Sequence, residues 1–64
     1  MKTFYATFGA SDRRSGWIVE ILAEDRNEAN EKMFTAFGSR WAFLYSDVNT
    51  IDPRDKERGI LKTL

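Results

Sequence analysis

Two runs near the start of the chain, KTFYATF at residues 2–8 and WIVEILAE at residues 17–24, alternate residue by residue. No other feature restricts the fold as much. A period of two sends successive side chains to opposite sides of an extended strand. In the first run Phe4, Ala6 and Phe8 share one side, against Thr3, Tyr5 and Thr7 on the other. In the second, Trp17, Val19, Ile21 and Ala23 oppose Ile18, Glu20, Leu22 and Glu24, with β-branched residues that suit a pleated surface. The segment between them, GASDRRSG, holds two glycines, two serines and an aspartate, the chemistry of a hairpin loop. Strands joined by so short a loop pair antiparallel.

At Asp25 the period changes. Asp25 followed by Glu28 matches a capping box, in which the first side chain accepts a backbone N–H and the second reaches back toward the preceding turn. Ala29, Met33, Ala36 and Phe37 then recur at helical spacing, and Gly38 supplies a residue suited to the left-handed stop, so the pattern predicts a helix over 25–37. RWAFLYSD, residues 40–47, reads as a third strand, with Trp41, Phe43 and Tyr45 opposite Ala42, Leu44 and Ser46. VNTIDPRDKERG, residues 48–59, carries the only proline and many charges and reads as a loop. Ile60 and Leu61 are available for a short fourth strand.

These elements imply a single α+β domain over residues 1–64. Its order is ββαβ(β), with one helix packed on an antiparallel or mixed sheet of three or four strands. Phe4, Phe8, Val19, Ile21, Met33 and Phe37, with alternate residues of the third strand, are its expected core. One helix covers one face. The other face is expected to show either Tyr5, Ile18, Leu22 and Leu44 or, in the opposite register, Trp17 and Trp41. Such a face suits self-association or a protein partner, and a homo-oligomer is expected.

Chemistry is limited by what the chain lacks. It has neither cysteine nor histidine, which removes thiolate and imidazole metal ligands and the common nucleophile–base pairs. The expectation is a non-enzyme with no catalytic residue, metal or cofactor. Ten basic and ten acidic residues cancel, so no overall field draws the chain to nucleic acid, which is not an expected partner. Apolar runs fall far short of the roughly 20 residues that span a bilayer, so the protein is expected in the cytoplasm and away from membranes.

Two charged groups remain as candidate sites. Glu20, Glu24 and Glu31, beside the capping pair Asp25 and Glu28, form an acidic group suited to a basic partner, with Tyr5, Trp17 and Trp41 as aromatic contacts. Arg13 and Arg14 at the hairpin tip and Arg40 before the third strand form an anion-binding candidate, since guanidinium forks match phosphate oxygens.

The start MKTFYATFG, the helix EDRNEANEKMFTAFG and the following RWAFLYSD together resemble a family of small uncharacterised proteins encoded by bacteriophages and prophages, over roughly residues 1–46. In architecture the chain is also similar to the podophage inhibitors of host RNA polymerase, through Phe4–Phe8, Trp17–Asp25, and Glu28 with Ala29. The resemblance implies a phage or prophage setting in the host cytoplasm, and with the uncovered aromatic face and the acidic group it leads to the expectation of a non-catalytic protein that binds and modulates a host protein of defence or transcription. The alternatives are an oligomeric sponge that holds a nucleotide signal with Arg13, Arg14 and Arg40 near an aromatic ring, and a structural or assembly accessory.

Overall fold

The computed structural model describes residues 1–64. Strands β1 (Lys2–Thr7) and β2 (Trp17–Ala23) form the expected antiparallel hairpin, with Phe4 opposite Ile21 and Ala6 opposite Val19. Helix α1 (Arg26–Phe37) follows, then β3 (Leu44–Tyr45) and β4 (Gly59–Thr63), in a four-stranded mixed sheet of order β3-β1-β2-β4.

Local chemistry explains the helix ends. The Asp25 carboxylate accepts from the Glu28 N–H at 2.9 Å, and the Glu28 carboxylate accepts from the Glu24 N–H at 3.0 Å, one residue earlier than in the usual box. At the other end Gly38, with φ +63°, donates its N–H to the Phe34 carbonyl. Only glycine takes such a φ without steric cost.

Under α1 lies one core: Phe4 and Ala6 from β1 with Phe8 just past its end, Val19, Ile21 and Ala23 from β2, Ala29 and Met33 from the helix, and Leu44 from β3. Phe37, Trp41 and Leu64 pack against it from the rim, while Ala36, expected on the buried face of the helix, is exposed. Phe4, Phe8, Val19, Ile21 and Met33 of the expected core are buried, Phe37 is only partly so, and Leu44 is the contribution of the third strand.

The third strand is much shorter than the 40–47 span expected. After Gly38 the chain is held at the helix end: the Arg40 N–H donates to the Phe37 carbonyl, and Trp41 Nε1 donates to the Gly38 carbonyl at 2.9 Å. Residues 39–41 are spent on that turn. Pairing with β1 begins only where Ala42 N–H donates to the Thr7 carbonyl and Thr7 N–H to the Phe43 carbonyl. The Arg26 guanidinium, donating to the Leu44 carbonyl, ties β3 to the start of the helix.

Strand order has a further consequence. β3 and β4 occupy opposite edges, so α1 carries the chain across one face of the sheet, and the 46–58 connection carries it back across the other. That connection is not a plain loop. It contains two short 3-10 helices, Val48–Thr50 and Pro53–Lys56, started by the carboxylates of Asp47 and Asp52, and the second lies against β2. Thr7, Ile18 and Ile51 are buried and lie outside the helix-side core, forming a small second buried group. Arg58 N–H closes the crossing by donating to the Gly16 carbonyl at 2.9 Å. β4 then runs parallel to β2, with a bulge at Leu61.

Candidate functional site

The face opposite α1 is thus half covered. Thr7 and Ile18 are beneath the crossing segment, whereas Tyr5, Leu22 and Glu20 stay at least partly exposed. Register places Tyr45 beside Tyr5, Tyr5 beside Glu20, and Glu20 beside Thr63, one row across all four strands. Cross-strand neighbours in such a row stand about 5 Å apart and act as one surface. Thr63 Oγ1 donates to the Glu20 carboxylate at 3.2 Å, which leaves the other carboxylate oxygen for a partner. Phe43, 66% exposed, sits edge-to-face with Tyr45, ring centroids 6.4 Å apart. The row is extended by large apolar side chains.

Several residues expected on this face are elsewhere. Leu44 points into the helix-side core, since it pairs with Ala6 and not with Tyr5. Ile18 is covered by the crossing segment that strand order requires. Trp17 shares the side of Val19, and Trp41 packs on the core at the C-terminal end of the helix, edge-to-face with exposed Phe34 at 5.7 Å. Neither tryptophan belongs to the Tyr5 surface.

The acidic group is also divided. Glu20 lies on the open face of the sheet, and Glu31 is on the helix that covers the opposite face, so the sheet stands between them. Glu24 lies at the junction, its N–H capped by Glu28. Alternation along β2 alone could have shown this, because Glu20 opposes Val19 and Ile21.

The three arginines do come together. Ser11, Asp12, Arg13, Arg14 and Arg40 line a shallow polar pocket where the hairpin tip meets the end of α1. Within it, Arg14 forms a two-point pair with Asp12, Nε to Oδ1 and Nη2 to Oδ2, each 3.0 Å. Its guanidinium lies over the rings of Phe8 and Phe37, 4.6 and 5.0 Å from their centroids. Nη2 also donates to the Arg40 carbonyl at 3.4 Å. Hydrogen bonds from the Arg14 side chain and N–H, reinforced by the charges of Arg14 and Arg40, lower the Asp12 pKa to about 2. Asp12, which no site reading of the sequence included, is the internal anion of this pocket.

That arrangement changes what the cluster can hold. The nearby rings are covered by Arg14, so they are not a free platform for a base. Arg13 and Arg40 have no carboxylate within salt-bridge distance. No group of three or more acidic side chains is placed to hold a metal ion, and no helix is long and apolar enough to cross a membrane. Comparison with family models, with curated proteins and with solved structures gives no match.

Proposed function

We propose that this chain is a non-catalytic binding protein that modulates a host protein, a component of defence or transcription, through the open half of its sheet. The observation that carries the reading is the row Tyr45–Tyr5–Glu20–Thr63, flanked by exposed Phe43 and Leu22. Aromatic side chains dominate the energetics of protein interfaces because they bury much area at little conformational cost. Glu20 adds direction: a basic side chain facing it fixes the partner's orientation. The resemblance to phage- and prophage-encoded proteins supports a host protein as that partner.

The test is capture from a bacterial lysate by the tagged protein and by two variants. A partner held one-to-one by the wild type, lost by Glu20→Lys combined with Tyr45→Ala, and kept by Arg13→Gln with Arg40→Gln supports the reading. Equal capture by the open-face variant overturns it. Sedimentation of the same proteins separates the competing use of the face: a wild-type dimer that the open-face variant disperses assigns the row to self-association.

A further inference from the structure

We propose that the pocket at the hairpin tip binds a compact phosphoryl dianion between Arg13 and Arg40, with the Asp12–Arg14 pair as its rigid floor. Three arginines and one aspartate line the pocket, and the aspartate's carboxylate is already engaged at both oxygens by Arg14. Three arginines against one carboxylate leave a net charge of two, neither Arg13 nor Arg40 has a carboxylate within salt-bridge distance, and both line the same polar concavity as Ser11. A phosphoryl group offers three acceptor oxygens and two negative charges, enough to serve two guanidinium forks and a hydroxyl together. A lone carboxylate has too few oxygens for all three.

Rigidity supports the assignment. Arg14 cannot swing away to pair with the ligand without losing Asp12 and the ring faces of Phe8 and Phe37. The neutral Asp12–Arg14 pair is a fixed floor that needs no further ordering, and the net positive charge of the pocket comes from Arg13 and Arg40. The pocket wall contains no apolar residue, so nothing there grips a base or an acyl chain. The recognised chemistry is the phosphoryl group itself, as inorganic phosphate or as the terminal phosphate of a nucleotide.

The experiment is a titration of the isotope-labelled protein, at low ionic strength, with inorganic phosphate and separately with a nucleoside monophosphate, followed by backbone amide shifts. Saturable shifts at residues 11–14 and 40 are expected, equal for the two ligands. Each arginine replaced by glutamine weakens binding by roughly tenfold, the loss expected for one charge-assisted hydrogen-bonding group. Arg13 and Arg40 donate no side-chain hydrogen bond within the protein, so these variants keep their fold, which the unchanged remainder of the spectrum verifies. Shifts that persist in the Arg13→Gln, Arg40→Gln double variant, or no saturable shift with either ligand, overturn the proposal. A nucleotide that binds well above phosphate while phosphate fails also overturns it, because the base is then the recognised part. The outcome is independent of the open-face reading, which rests on different residues.

Discussion

Replacing Ile51 by alanine tests the least expected part of this fold, the second buried group made by the crossing segment. Ile51 is 2% exposed, and Thr7 and Ile18 are buried on the same side of the sheet. The substitution removes three carbons, about 2.5 kcal/mol of transfer free energy at about 0.8 kcal/mol per buried group. A cavity term adds to this, and large-to-small core changes of this kind span about 2–5 kcal/mol. The 46–58 segment is irregular and can settle into the space, which places the expected loss near the lower end, about 2–3 kcal/mol. A chain of this size has about 3–10 kcal/mol of stability in all, so the loss is a large share of it. It corresponds to a fall in Tm of about 10–20 °C for so small a domain. The control is Ile60→Ala, the same chemistry at a residue 50% exposed, where the loss stays under about 1 kcal/mol. Urea unfolding followed by the fluorescence of Trp17 and Trp41 measures both, with the midpoint as the readout and an unchanged slope as the check on two-state behaviour. If Ile51→Ala and Ile60→Ala shift the midpoint equally, the crossing segment does not bury Ile51 and the description of that face is wrong.

Asp25→Ala removes the acceptor for the Glu28 N–H and costs about 1 kcal/mol, read by the same denaturation experiment; an unchanged midpoint means that the cap does not form. The Asp12 carboxyl has a folded-state pKa depressed to about 2 from 3.8, so the Asp12–Arg14 pair contributes fully above pH 3.8 and its contribution is lost as pH falls through about 2. The Arg14 amide, which donates to Asp12 Oδ1 at 2.8 Å, should report that step in an NMR pH titration; a midpoint near 4 would refute the pairing.

What the sequence determined by itself was local. Alternation in residues 2–8 and 17–24 specified the hairpin and its inward face, because a strand with one buried side cannot slip by one residue without exposing Phe4, Val19 and Ile21. Asp25, Glu28 and Gly38 marked the helix ends, since capping is a matter of neighbours within one turn. The arginine group was legible as three residues, but Asp12 between them was not given its part, which depends on the turn that brings its two oxygens to Arg14. Strand order was decided only in three dimensions. With β3 and β4 on opposite edges, a segment that looks like a charged loop must cross the sheet and bury Ile51. The register of β3 on β1, with Leu44 opposite Ala6, turns Leu44 inward and sets Tyr45 beside Tyr5, which alternation and the hairpin pairing with β2 had already placed on the side of Glu20. The reason is that periodicity tells which residues share a side of one element, whereas the pairing of distant strands tells which sides meet.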